Sequence, residues 1–217
     1  MVITLDGYSG TGKSTLAQIL ADRLDFKCLN TGMIYRAMTY YYLKNNIMDT
    51  DITEINNSIE NLNVDILFIN NEQKVIIDNI DCTPFVSTKE VQRYVSLYSQ
   101  ILSIRNKVLN LQREFALYND IVVEGRDIGT HVFPDAQYKF FVVCDIDIRA
   151  RRRLQDLQNL GQNISLEEVK QSLKSRDILD STRKICPLKR AETAIEIDTS
   201  NKTIEQSIEE MLKHIKM

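Results

Sequence analysis

The stretch that most restricts how this chain can fold is "VITLDGYSGTGKST", residues 2–15. Val2–Leu5 is a short apolar run of β type, glycines follow at 7, 10 and 12, and Leu16, Ile19, Leu20 and Leu24 then recur at helical spacing. Strand, glycine loop and helix in immediate succession belong to an open α/β sheet, with the loop at the carboxyl edge of the strand, where ligands collect. Gly7, Gly12, Lys13 and Ser14 complete the pattern G-x-x-x-x-G-K-[ST]. Its spacing has a mechanical basis. Glycines let the backbone bend so that N–H groups around Ser9, Gly10 and Thr11 turn inward. Lys13 then reaches the β and γ phosphates, Ser14 offers a hydroxyl to Mg²⁺, and the helix entered through Thr15 points its positive end at the anion. The expected ligand is a nucleoside triphosphate, with Mg²⁺ at Ser14.

The rest of the chain continues the alternation. Ile121–Glu124, Tyr138–Cys144 and Ala194–Ile197 read as further strands separated by helical segments, which predicts a mainly parallel sheet with helical crossovers. "NVDILFINNEQKVIIDNID", residues 63–81, departs from it, with two β-rich runs around the turn-like "NNEQ", and predicts an antiparallel hairpin. Its pattern favours a surface elaboration; an insert that closes over a substrate is the alternative. At 217 residues one domain is expected, and no apolar run approaches the ~20 residues of a membrane span. The first strand begins almost at once, leaving no room for a secretion signal, so the expected location is cytoplasmic. Four scattered cysteines without a C-x-x-C pair argue against structural zinc or disulfides. His131 and His214 are too isolated for a metal site. A net charge of −3 provides no general attraction to nucleic acid, so any phosphate site must be local.

A glycine loop of this kind names a donor without naming an acceptor. No D-x-x-G or N-K-x-D pattern is present, which disfavours a guanine-specific switch. Transfer of a phosphoryl group between two anions demands dense positive charge. "NTGMIYRA" places Arg36 early in a helix, and "VVEGRDIGT" places Arg126 and Asp127 just past a β-run, where open sheets bind ligands. In "SLKSRDILDSTR", Arg176, Asp180 and Arg183 fall at i, i+4 and i+7 on one helix face, which suits a ribose and a phosphate or, equally simply, a solvated ion ladder. In "DIRARRRL", Arg149, Arg152 and Arg153 share a face, as a lid over phosphates or as wet surface.

Together the glycine loop, "NTGMIYRA", "VVEGRDIGTHVFPDA", "RARRRLQDLQ", "RDILDSTRKICPLKRAETAIEIDTS" and the insert before "STKEVQRYVSLYS" resemble the bacterial cytidylate kinase family, in order and over nearly the whole chain. The resemblance implies a single P-loop kinase domain over residues 1–217. Its α/β fold would be a three-layer sandwich with a central parallel sheet flanked by helices, a small antiparallel β insert in the nucleoside-monophosphate-binding region at about 60–85, and a short helical lid at about 149–166. It implies transfer of the γ-phosphate of ATP to CMP or dCMP with Mg²⁺, by a monomer without nucleic-acid or membrane partners. Carried over by motif, Lys13, Arg126 and Arg183 would be catalytic, and Gly7, Ser9, Gly10, Thr11, Gly12, Ser14, Thr15, Arg152 and Arg153 would hold ATP. Arg36, Arg126 and Arg183 would hold the CMP phosphate, Arg176 and Asp180 the sugar, Ser96, Arg105 and Asp127 the cytosine, with Thr31 and Tyr35 walling the pocket. The chemistry is complementary: cytosine presents an amine donor beside ring acceptors, which match a carboxylate and a guanidinium, whereas uracil reverses those edges.

Overall fold

The computed structural model describes residues 1–159, 161 and 163–216. In chain order it contains β1 (Val2–Gly7), α1 (Lys13–Leu24), β2 (Lys27–Asn30), α2 (Thr31–Lys44), α3 (Ile52–Ile59), β3 (Val64–Ile69), β4 (Glu72–Ile77) and β5 (Ile80–Asp81). There follow α4 (Lys89–Tyr98), α5 (Leu102–Tyr118), β6 (Ile121–Gly125), β7 (Tyr138–Val143), α6 (Ile146–Asn159), α7 (Leu166–Thr182), β8 (Ile195–Asp198) and α8 (Ile204–Leu212).

Strands β2, β6, β1, β7 and β8 lie side by side in that order, all parallel. A parallel sheet is buried on both faces, so its strands read as continuous apolar runs rather than alternating ones. The side chains of β6 sort the two faces: Val122 packs with Ile3, Leu16, Leu20 and Ile208, while Ile121 and Val123 pack with Ile34, Met38 and Val108. Helices α1 and α8 therefore cover one face and α2 and α5 the other, which makes the three-layer sandwich. The four strands expected from the sequence are present, with β1 running two residues further, to Gly7.

The β insert is a three-stranded sheet, β3-β4-β5, not a hairpin alone. Its turns are tighter than the pattern implied. Asn70 and Asn71 (φ 53° and 63°) close the first and Asp78 and Asn79 (φ 46° and 65°) the second, left-handed pairs suited to two-residue antiparallel turns. Glu72 and Gln73, expected in the turn, already belong to β4. Helices α6 and α7 form a helical pair around Ala150, Val169 and Leu173; positions 160 and 162 of the expected lid lie outside the described residues.

Candidate active site

The loop after β1 is held open by geometry that only glycine tolerates. A Cβ on Gly7 would sit 2.2 Å from the carbonyl oxygen of Val142 on the neighbouring strand, and Gly10 and Gly12 adopt φ of 76° and 87°. Lys13, 5 % exposed, donates from Nζ to the carbonyl of Tyr8 at 3.0 Å and lies 3.9 Å from Glu124. Burial, reinforced by Arg126, pulls its ammonium down to about 7. Ser14 donates its hydroxyl to Glu124 Oε1 at 2.7 Å. Glu124 is the last residue but one of β6, opposite Leu5 of β1, so sheet register brings a carboxylate to the loop from far along the chain. Beneath the loop Asp6 accepts the backbone N–H groups of Ile128 and Gly129 at 2.9 and 2.7 Å, and burial raises its carboxyl to about 6 in spite of them.

A cleft of about 1180 Å³ runs from this loop between α4 and α7. Every residue that the resemblance assigns to substrate binding lines it except Gly7 and Arg105; Arg149, read with Arg152 and Arg153 as a lid face, does not line it either. Arg36 folds back over the start of α2, where a Cβ on Gly32 would come within 2.9 Å of its Nη1. Among the described residues its buried Nε meets no hydrogen-bond partner, and neither does that of Arg176. Burial lowers both guanidinium groups, Arg176 to about 10, and Arg126 and Arg153 act on each in the same direction. Cations facing one another with unfilled donors are what a polyanionic ligand relieves. Arg126 is partly balanced: its Nε donates to Asp180 at 2.7 Å.

At the far end Asp127, 5 % exposed, lies between two guanidinium groups. Arg183 Nη2 donates to its Oδ1 at 2.8 Å and Arg105 Nη2 to its Oδ2. Arg183 also donates from Nε to the carbonyl of Cys186 at 2.6 Å. Arg105 is 5 % exposed and stands behind Asp127, over the ring of Tyr35 at 5.8 Å. In this structure Arg183, placed at the phosphate by the resemblance, is paired with Asp127, and Arg105, placed at the cytosine, reaches the cleft only through that aspartate. Thr31 directs its hydroxyl to the carbonyl of Glu124 at 2.7 Å, pinning the start of α2 to the end of β6.

The sequence profile of cytidylate kinases matches residues 3–217. A protein of Fusobacterium nucleatum named cytidylate kinase is 39 % identical over 99 % of this chain and 97 % of its own length. One of Clostridioides difficile with the same name is 39 % identical over 100 % of this chain and 99 % of its own. The chain belongs to the cytidylate kinase family. Among solved structures, a Thermus thermophilus protein at 15 % identity aligns with a TM-score of 0.50, covering 100 % of this chain and 98 % of that one. An uncharacterized protein of Eubacterium ventriosum at 11 % identity aligns at 0.53, covering 99 % and 98 %. Both share the fold.

Within this member of the cytidylate kinase family the structure adds residues that the sequence did not single out. Glu124 gave no local signal beyond standing in "VVEGRD", and Asp6 read only as part of a strand. Arg149, read from the sequence with Arg152 and Arg153 as a lid over phosphates or wet surface, is neither. It is buried, donates from Nη1 to the carbonyl of Ser9 at 3.1 Å, pairs with Asp177 at 2.8 Å and lies over the ring of Tyr8. Arg152 donates to the carbonyl of Thr199 at 2.9 Å beside Gly12, and Arg153 lines the cleft.

Proposed function

We propose that the protein transfers the γ-phosphate of ATP to CMP or dCMP, giving ADP and CDP or dCDP. The observation that carries this reading is a single cleft with a triphosphate-binding loop at one end, a buried carboxylate clamped by two guanidinium groups at the other, and Arg36, Arg126, Arg153 and Arg176 between them. In this reading Lys13 and the loop N–H groups bind the donor phosphates, while Arg152 and Arg153 cover them. Arg36, Arg126 and Arg183 neutralise the acceptor phosphate, and Arg176 and Asp180 take the sugar. Asp127 accepts the cytosine amine; an ionised carboxylate has roughly four acceptor positions, so two arginines leave room for a further donor. Arg105 holds Asp127 in place, and Ser96, Thr31 and Tyr35 complete the wall.

An acceptor phosphate oxygen is already anionic, so no general base is needed. Catalysis rests on alignment, exclusion of water and neutralisation of charge that gathers on the transferring group. Mg²⁺ fits the donor end. Ser14 and Glu124 bring a hydroxyl and a buried carboxylate together at 2.7 Å beside Lys13, a hard oxygen pair of the kind this ion uses when substrate phosphates supply its other ligands. Bound there, Mg²⁺ would add positive charge at the phosphates. Among the described residues no helix is long and apolar enough to cross a membrane. The thiols of Cys28, Cys82, Cys144 and Cys186 are free; they suit a reducing compartment, and we place the enzyme in the cytoplasm as a monomer.

The test is coupled ADP release with Mg²⁺ATP against CMP, dCMP, UMP, AMP and GMP. Turnover concentrated in CMP and dCMP is expected. Stronger turnover of another acceptor would overturn the base pocket while leaving the donor loop intact.

A further inference from the structure

Gln73 is a polar residue on an apolar face. Along β4 the buried positions are Gln73, Val75 and Ile77, and Gln73 is 6 % exposed. Its carboxamide does not reach into the insert. It reaches across to the central sheet, where Oε1 accepts the backbone N–H of Asn30 at 2.7 Å and Nε2 donates to the Asn30 carbonyl at 3.2 Å. One side chain thus supplies the donor and acceptor that a neighbouring strand would offer to the last residue of β2, which lies at the sheet edge.

Asn30 is also the cap of α2, its side-chain oxygen accepting the N–H of Met33 at 2.8 Å. The first turns of α2 carry Thr31, Tyr35 and Arg36, all lining the cleft. A second tie acts at the other end of the same strand, where Lys27 Nζ donates to Asn71 Oδ1 at 3.1 Å. The sequence pattern favoured a surface elaboration; the structure shows an insert plugged into the root of the acceptor helix.

We infer that Gln73 is a positioning residue, which fixes Asn30 and through it the start of α2, so that the β insert sets acceptor affinity by holding Arg36 in place. The inference rests on the reading of Arg36 as a ligand of the acceptor phosphate. Gln73 does not line the cleft. An apolar residue of the same size would fill the space but leave the Asn30 N–H unpaired and its carbonyl with the helix bond of the cap alone, and the strand end would shift to find water.

The experiment compares Gln73→Met and Gln73→Asn with Val75→Ala, which loosens the same buried face of β4 while keeping the hydrogen bonds between Gln73 and Asn30. Steady-state kinetics should show the KM for CMP rising about five- to tenfold in both Gln73 variants, because methionine lacks the polar groups and asparagine lacks the reach. The KM for ATP should stay within twofold, and Val75→Ala should lower the melting temperature without changing either KM. A KM for CMP within twofold of wild type in Gln73→Met or Gln73→Asn, or an equal rise in Val75→Ala, would overturn the inference. Arg36→Ala is run alongside. If it raises the KM for CMP while the Gln73 variants do not, this inference alone fails; if it leaves that KM unchanged, the acceptor reading of Arg36 fails and takes the inference with it.

Discussion

In the proposed reading the donor loop draws its binding groups from consecutive residues, Gly7 to Ser14, whereas the acceptor wall draws Arg36 from α2, Arg126 and Asp127 from just past β6, and Arg176, Asp180 and Arg183 from α7 and its cap. The loop is mostly backbone shaped by its own glycines, with Arg149 and Thr199 bracing the carbonyls of Ser9 and Thr11 from outside. The wall is mostly side chain, and it exists only when three elements are docked and Asp127 is clamped from both sides. The donor end should therefore fail in chemistry when a side chain is changed, and the acceptor end in affinity and selectivity.

Removal of Lys13 should have the largest effect. Lys13→Met should lower kcat by about 10³-fold or more, since the lysine addresses charge on the transferring phosphate, while calorimetry finds CMP binding within a few fold of wild type. Loss of CMP affinity as severe as the loss of turnover would break the division between the two ends. Next comes Asp127→Asn, which replaces the proposed acceptor of the cytosine amine with a group able to donate. The ratio of kcat/KM for CMP to that for UMP should fall by about 10²-fold. An unchanged ratio would place base recognition elsewhere.

A smaller effect sharpens the donor side. Glu124→Gln keeps the shape beside Ser14 but removes the charge, and the Mg²⁺ concentration giving half-maximal rate should rise about tenfold, as for partners that orient metal ligands. The smallest effect separates the ends by pH. The ammonium of Lys13 is pulled down to about 7 from an ordinary 10.5, so between those values the unfolded chain binds more protons than the folded one and stability rises with pH. Below pH 7 the full cost of a buried cation is present. In the absence of nucleotide, denaturant unfolding of the wild type should show a gain of about 1–2 kcal/mol from pH 7 to pH 9 relative to Lys13→Met. Parallel pH profiles for the two proteins would mean that Lys13 is not charged at a cost in the free enzyme.

The sheet was legible because buried parallel strands announce themselves as short apolar runs, and the loop because its glycines and lysine occupy fixed offsets. The third strand of the insert was not, because Ile80–Asp81 is two residues long and has no pattern of its own. Arg126, Asp127, Arg176 and Asp180 were visible as residues with suitable chemistry, but their pairing was not. The i, i+4 reading joined Asp180 to Arg176 and Arg183 on its own helix, whereas Asp180 is hydrogen-bonded to Arg126, and Arg183 has turned to Asp127.

By itself the sequence determined the strand, glycine loop and helix at the start of the chain, the parallel α/β class, and, through its order of motifs, the family. Tertiary structure alone decided that Glu124 meets Ser14, that Arg105 stands behind Asp127 rather than in the cleft, and that Gln73 closes the edge at Asn30. Backbone conformation is set by neighbours along the chain, so a few consecutive residues encode it. The meeting of side chains from distant segments depends on strand register and helix packing, which are fixed by burial over the whole core and leave no mark at the residues that meet.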